Sequence, residues 1–233
     1  MIRSIAFIAA WVFAGACAAQ PPHRVSLTYD LSYNGIVAAE LTEVLEHDGK
    51  NFSLNSEGRG VGIGALLYHG AARRSCRGEI TRAGLRPLEY RDQRGDKPAS
   101  VAKFDWARKT LTLEHDGKNE TKAMVPALQD RLSFLYNFAF ESAPDLKPGR
   151  QIKVTLTDGK GLTRFEYTVA APEMVKTPAG EFDAVHLVKQ RENQDDRGTE
   201  LWFTRDRDYL PVRVLVTEKD GARIDQVLTR IVD

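Results

Sequence analysis

Apolar and polar residues alternate along most of the chain, which is the pattern of half-buried β-strands. In VAKFDW, residues 101–106, Ala102 and Phe104 fall on one side and Lys103 falls on the other. The segment RFEYTV, residues 164–169, repeats the alternation. Strands of this kind are typical of antiparallel sheets with one solvated face.

Asp-Gly pairs separate these strands at residues 48–49, 116–117, 158–159 and 220–221. Such a pair favours a tight type I′ hairpin turn, in which both central residues have positive φ. The hexapeptide EHDGKN contains two of the pairs, because it occurs twice, at residues 46–51 and 114–119. We interpret both copies as hairpin tips rather than metal sites, since no further ligands lie at close spacing. The runs between turns predict about twelve strands in a mainly β fold, either a curved antiparallel sheet or an open or closed barrel.

One segment departs from the two-residue period. Apolar residues recur there at helical spacing, and three phenylalanines cover most of the remaining circumference. The first set is Leu128, Leu132, Leu135, Tyr136 and Ala139, and the second is Phe134, Phe138 and Phe140. We therefore predict one main α-helix between Leu128 and Phe140 that is apolar on nearly all sides and needs burial. Two placements stay open: the concave sheet wraps around this helix, or the helix lies across one mouth of a barrel.

A second irregular stretch is EGRGVGIGALLYHG, residues 57–70, in which five glycines flank or interrupt an apolar run. The run contains Leu66, Leu67 and Tyr68. Because glycine gives the backbone conformational freedom, the stretch is one of two things. It is a lid that admits a hydrophobic ligand, or it is a loop whose side chains fill the core.

The amino terminus predicts export. Residues 1–19 combine one positive charge, an apolar run and a series of small residues, as a secretory signal peptide does. We expect a periplasmic protein of a Gram-negative bacterium, with a single domain over residues 20–233 and no transmembrane span. The alternative is a lipoprotein in which Cys17 is acylated. Without Arg3 the chain has 32 basic and 32 acidic residues, which gives no reason to expect a nucleic-acid partner.

No recognised catalytic, cofactor-binding or metal-binding motif is present, so the sequence predicts no cofactor and no metal. Cys76 is the one cysteine certain to survive processing, and we interpret it as a buried small hydrophobe. A disulfide to Cys17 would require that residue to be retained. Arg73, Arg74 and Arg77 form a short basic stretch, which is either a solvated strand or an anion site.

Four blocks of the chain resemble the bacterial exported proteins grouped as domain of unknown function 3108. In order they are YNGIVAAE at 33–40, QDRLSFLYNF at 129–138, TPAGEFDAVHL at 177–187 and ELWFTRDRDYLPVRV at 200–214. The resemblance implies a periplasmic, mainly antiparallel β protein with no assigned reaction. It also suggests a fold similar to the open barrels of periplasmic lipoprotein carriers.

From these observations we predict a non-enzymatic cell-envelope protein that binds a lipid, an acyl chain or a lipoprotein in an apolar cavity. The predicted ligand-binding residues are Leu66, Leu67, Tyr68, Phe134, Leu135 and Phe138. One alternative is a structural or protein-interaction module without a small ligand. A second alternative is a hydrolase or sugar-active enzyme with an unrecognised site.

Overall fold

The computed structural model describes residues 21–62, 64–65, 70–191, 193 and 196–233. The predicted signal peptide, Cys17 and the predicted ligand-binding residues Leu66, Leu67 and Tyr68 lie outside this part of the chain. The elements that lie wholly within it are sixteen strands, a short α-helix and a 3-10 turn. The strands are β1 Arg24–Tyr33, β2 Ile36–His47, β3 Asn51–Gly60, β4 Ala71–Thr81, β5 Gly84–Arg94, β6 Ser100–Asp105, β7 Thr110–His115, β8 Lys118–Ala123, β9 Leu128–Asp130, β10 Gln151–Thr157, β11 Leu162–Val169, β12 Glu173–Thr177, β13 Gly180–Lys189, β14 Gly198–Thr204, β15 Pro211–Thr217 and β16 Arg223–Val232. The helix α1 is Ser133–Tyr136 and the 3-10 turn is Asn137–Ala139.

All sixteen strands join one sheet, in the order β8-β7-β6-β5-β4-β3-β2-β1-β16-β15-β14-β13-β11-β10-β9, with β12 paired to β13. Only β9 and β10 run parallel, and every other described pair is antiparallel. This confirms the predicted mainly β, antiparallel fold. The strands number sixteen rather than about twelve, because short or polar strands such as β8 offer no apolar alternation to count.

The sheet curves until its two ends approach each other without pairing. The Lys160 amine, between β10 and β11, lies 3.0 Å from the Asp116 carboxylate at the β7–β8 turn. Glu141, just after the 3-10 turn, forms an isolated bridge to Ala83 at the start of β5. The fold is therefore an open barrel whose ends are joined by side chains and by this single bridge.

The helix is much shorter than the sequence predicts. Leu128 starts strand β9 instead of a helix, and α1 begins only at Ser133. The cause is Asp130, whose Oδ1 accepts the backbone N–H groups of Leu132 and Ser133 at 2.9 and 2.8 Å. These hydrogen bonds end strand β9 and start the helical turn. The apolar residues that the sequence places in one helix are therefore divided between a strand and a helix.

The short helix lies inside the curve of the sheet. Phe134 stacks on Tyr167 of β11, and the Tyr136 hydroxyl reaches Glu43 of β2. The next turn carries Phe138, whose ring lies edge-on to Phe203 of β14. Of the two placements left open by the sequence, the contacts favour a sheet wrapped around the helical segment.

The four Asp-Gly pairs all connect strands, but only one forms the predicted type I′ turn. Asp116 and Gly117 both have positive φ, at 49° and 73°. In the other three pairs only the glycine does. There the aspartate accepts the backbone N–H two residues later: Asp48 from Lys50, Asp158 from Lys160 and Asp220 from Ala222, at 2.8 to 3.0 Å. The longer loops at these positions allow this Asx turn to replace the tight hairpin.

No helix in the described residues is long and apolar enough to cross a membrane.

Candidate functional site: an outer groove and a buried polar interior

Three of the six predicted ligand-binding residues are described, and two of them form part of the core. Phe134 and Phe138 are about 4% and 5% exposed. Their rings lie 5.8 Å apart, and they pack on Tyr167 and Phe203 at 5.7 and 5.2 Å. Leu135 is only partly buried and packs against both hydrophobic clusters of the protein. Their role as ligand contacts stays a prediction.

Near these residues, strand β9 and the 3-10 turn are joined to β5 by side-chain amides instead of a continuous ladder of backbone hydrogen bonds. Asn137 Oδ1 accepts the backbone N–H of Leu85 at 2.9 Å, and Gln129 Nε2 donates to the Leu85 carbonyl at 2.7 Å. Gly84 lets the two parts approach, since a Cβ there would lie 2.4 Å from Asn137 Oδ1. We call this junction, formed by Gly84, Leu85, Gln129 and Asn137, the amide seam.

A groove of about 620 Å³ lies against strands β2 to β5, and the strand alternation places most of its lining side chains, though not Ser56 and Arg74, on the outer face. Its lining consists of Glu40, Thr42, Val44, Asn55, Ser56, Glu57, Arg59, Arg73, Arg74, Ser75, Arg91, Gln93 and Ala99. Strand register arranges most of these residues in two rows across the sheet. One row is Thr42, Glu57, Arg73 and Gln93, and the next is Val44, Asn55, Ser75 and Arg91.

The charged side chains of the groove form arginine–glutamate ion pairs. These pairs do not use all the N–H groups of the arginines. Glu57 binds Arg59 at 2.6 Å through one carboxylate oxygen and the Nε of Arg73 at 3.3 Å through the other. The hydrogen bond from Arg59 lowers the pKa of Glu57, with Arg73 contributing less. Arg91 lies 3.7 Å from Glu89, a carboxylate that Arg77 also contacts at 3.1 Å. Of the four arginines in the lining, Arg74 alternates to the inner face. The outward-facing lining therefore carries Arg59, Arg73 and Arg91 against Glu40 and Glu57.

The inner face of the same strands holds buried acids. Glu43 is 1% exposed and accepts hydrogen bonds from the Tyr136 hydroxyl at 2.7 Å and the Ser56 hydroxyl at 3.1 Å. Burial raises the pKa of Glu43 above its ordinary value, and the hydrogen bond from Tyr136 opposes this only in part. The carboxyl of Glu43 joins α1 to strands β2 and β3.

A second buried acid, Asp130, holds Cys76. The Cys76 thiol donates to Asp130 Oδ2 at 3.0 Å, and the Ser133 hydroxyl donates to the same oxygen at 2.6 Å. Burial raises the pKa of both groups, and the proximity of Asp130 raises that of Cys76 further. Cys76 is buried and free, as the sequence predicts, but it is a hydrogen-bond donor as well as a packing residue. A protonated thiol is a poor nucleophile.

The described residues contain no group of His, Cys, Asp and Glu side chains that could hold a metal ion. The sequence does not predict the groove, although Arg73, Arg74 and Arg77 stand out in it as a basic stretch. The strand separates these three: Arg73 and Arg77 lie on the outer face, whereas Arg74 points inward and lies 3.9 Å from Asp92. The rest of the groove depends on the register of four strands.

The chain belongs to the family of proteins of unknown function designated DUF3108, whose model matches residues 28–229. The resemblance inferred from four sequence blocks is thereby confirmed. No curated protein matches the sequence significantly.

Among solved structures, the chain is similar to a β-barrel-like protein of the domain of unknown function DUF1849 from Brucella abortus. The identity is 11% and the TM-score is 0.54, with 91% of this chain and 98% of the other covered. At such identity the likeness concerns the fold alone. A protein with a YmcC-like fold from Bacteroides fragilis shows 13% identity and a TM-score of 0.40, covering 93% and 100% of the two chains.

Proposed function

We propose that this chain is a non-enzymatic protein of the bacterial cell envelope that binds a polypeptide segment of a partner in its outer groove. The groove itself is the observation that carries the proposal. It crosses four strands, which neighbour one another at about 4.8 Å, so it spans roughly 14 Å and can hold several residues of an extended chain.

The positions of the reactive groups support binding over catalysis. Cys76, Asp130 and Glu43 are all on the inner side of the sheet and at most 2% exposed. Among the described residues that line the groove there is neither histidine nor cysteine. A general base or nucleophile must reach its substrate, and these buried groups cannot.

The chemistry of the lining supports a polar peptide partner. Thr42, Asn55, Ser75 and Gln93 offer hydrogen-bond donors and acceptors along two adjacent rows. The described lining contains no aromatic ring on which a base of single-stranded nucleic acid could stack. The excess of arginine favours a segment that carries acidic side chains, through charge complementarity.

Site-specific photo-crosslinking in the periplasm of a Gram-negative host tests this proposal. A benzoylphenylalanine at Thr42 or Asn55 should capture the same polypeptide, identified by mass spectrometry through its crosslinked peptide. The exposed residues Thr121 on β8 and Thr163 on β11 serve as control positions. A second variant, Ser75→Trp, should fill the groove and abolish the Asn55 adduct, whereas Thr121→Trp should not.

Two outcomes would overturn the proposal. The first is a pattern of adducts equal at groove and control positions, which indicates non-specific contact. The second is an Asn55 adduct that persists when Ser75→Trp fills the groove.

A second candidate is the hydrophobic ligand predicted from the sequence, held at Phe134, Leu135 and Phe138 with the undescribed Leu66, Leu67 and Tyr68. The amide seam favours it, because two side-chain hydrogen bonds can open without breaking a strand pair. Native mass spectrometry with palmitate tests the idea. We expect an adduct that is weakened by Leu135→Lys and kept by Ile231→Lys, a partly buried control on β16 that packs on the cluster without Phe134 and Phe138. A protein that ignores palmitate contradicts this candidate.

A further inference from the structure

We infer that Arg73 and Arg91 form a carboxylate-binding subsite within the outer groove. The inference rests on the proposed function, and it specifies which chemical group of the partner is recognised and by which atoms. It concerns a single acidic side chain, of aspartate or glutamate, in the bound segment.

Strand register places the two arginines on one side of the sheet. Arg73 is paired with Gln93, and Arg91 is paired with Ser75, so the two arginines are diagonal neighbours on β4 and β5. Diagonal neighbours on one face lie about 7–8 Å apart, a separation that long side chains bridge easily. The small side chain of Ser75 stands beside Arg91 and leaves space above the strands.

Both guanidinium groups have N–H groups left for a ligand. Within the described part of the chain, Arg73 uses only its Nε, toward Glu57 at 3.3 Å. Arg91 has a single ion contact, at 3.7 Å, which is too long for a hydrogen bond. By contrast, Arg59 meets Glu57 at 2.6 Å and Arg77 meets Glu89 at 3.1 Å. Of these four arginines, Arg73 and Arg91 therefore make the weakest contacts with carboxylates of the described chain.

Glu57 positions the subsite. Its pKa is lowered by Arg59 first and by Arg73 second, so it stays ionised and fixes the Nε side of Arg73. Arg73 lines the groove, and its terminal nitrogens form no hydrogen bond within the described part of the chain. A guanidinium binds a carboxylate with two parallel hydrogen bonds, and two guanidinium groups suit its two oxygens.

The same glutamate favours a carboxylate over a phosphate. Glu57 and Glu40 both line the groove, and their negative charges oppose an incoming dianion more than a monoanion. The net excess of one arginine on this face matches a single negative charge.

A titration with short capped peptides tests the subsite. The probes are tetra-glutamate, tetra-glutamine and inorganic phosphate, each added to the isotope-labelled protein and followed by the backbone amide signals of Asn55, Ser75 and Gln93. We expect tetra-glutamate to shift these signals and tetra-glutamine to leave them unchanged. Arg73→Gln and Arg91→Gln should each weaken the binding about two- to five-fold, as expected for solvent-exposed ion pairs. Arg86→Gln, on β5 but outside the lining and paired with Glu79, should not weaken it.

Three results would overturn the subsite. They are equal responses to tetra-glutamate and tetra-glutamine, equal weakening by Arg86→Gln, or tighter binding of phosphate than of tetra-glutamate. The proposed function is judged separately, by crosslinking. If the groove captures one polypeptide while the arginine variants bind tetra-glutamate as the wild type does, the proposed function stands and the subsite falls. If tetra-glutamate binds as expected while crosslinking gives no groove-specific adduct, the subsite stands as a site for acidic groups and the polypeptide partner falls.

Discussion

The two faces of strands β2 to β5 shift the pKa values of two neighbouring glutamates in opposite directions. On the outer face, Glu57 is paired with arginines in contact with water, and its pKa is lowered. On the inner face, Glu43 is fully buried among hydroxyl groups, and its pKa is raised. These two glutamates belong to adjacent strands. We therefore expect changes to the inner polar groups to affect stability more than changes to the outer ones.

Asp130→Ala should cause the largest loss of stability and tests the role of the inner polar groups. The substitution leaves two buried backbone N–H groups and the Cys76 thiol without their acceptor, whereas the Ser133 hydroxyl keeps Gln129 Oε1 at 2.8 Å. Each unsatisfied buried donor costs about 1–3 kcal/mol, so we expect a loss of about 3–5 kcal/mol in the free energy of unfolding. Urea denaturation measures this loss.

Asp48→Ala is the matched control for that experiment. Asp48 also accepts two backbone N–H groups, from Lys50 and Asn51 at 2.8 and 2.6 Å, but it lies at the surface. Water can replace these hydrogen bonds, so the loss of stability should be far smaller than for Asp130→Ala. Equal losses of stability in the two variants would show that burial of the hydrogen bonds is not the cause of the effect of Asp130→Ala.

The basic stretch offers a second contrast between adjacent residues. Arg74 points inward beside Asp92 and the buried Glu43, and its side chain is 28% exposed. The side chain of Arg73 is 55% exposed and lies in the groove. We expect Arg74→Gln to lower the free energy of unfolding by about 1–2 kcal/mol and Arg73→Gln to change it by less than about 0.5 kcal/mol. Thermal unfolding checks this order, and a larger loss at Arg73 would contradict the assignment of the two faces.

The two glutamates should give stability profiles of opposite sign against pH. The folded pKa of Glu43 is raised, so its contribution is fully present below the unfolded pKa and is lost as pH rises through the folded pKa. The folded pKa of Glu57 is lowered, so its contribution is present above the unfolded pKa and is lost as pH falls through the folded pKa.

The measurement is the difference in unfolding free energy between wild type and each Gln variant, from urea denaturation at a series of pH values. Relative to wild type, Glu43→Gln should gain stability as pH rises above about 4.5, the ordinary glutamate pKa. Glu57→Gln should gain relative to wild type only as pH falls below that value, by a smaller amount because Glu57 is exposed. Two curves of the same slope would refute the comparison.

The sequence predicted the parts of this fold that depend on local pattern. Alternation located strands such as Ser100–Asp105, where Ala102 and Phe104 are buried. The helix was overestimated because apolar spacing cannot show that the Asp130 side chain captures two backbone N–H groups. The groove could not be predicted, since Arg73 and Arg91 become neighbours only through the register of β4 and β5. That register includes an irregularity between Arg77 and Gly78, which no local pattern reveals.

The smallest expected change in stability concerns the two copies of EHDGKN. They test how far the local sequence determines the turn. In the copy at residues 114–119, Asp116 has a φ of 49° within a two-residue turn, a conformation that glycine adopts more easily. In the copy at residues 46–51, Asp48 has no positive φ, and its carboxylate organises the loop. We therefore expect Asp48→Gly to lower the melting temperature more than Asp116→Gly, because in the latter the easier turn partly offsets the loss of the exposed ion pair with Lys160. Both variants remove one charge and sit in the same hexapeptide, so they are matched in sequence. An equal decrease in melting temperature for both variants would contradict this prediction. It would mean that the different surroundings of the two copies, such as the contact of His47 with Phe140, do not determine which turn each copy forms.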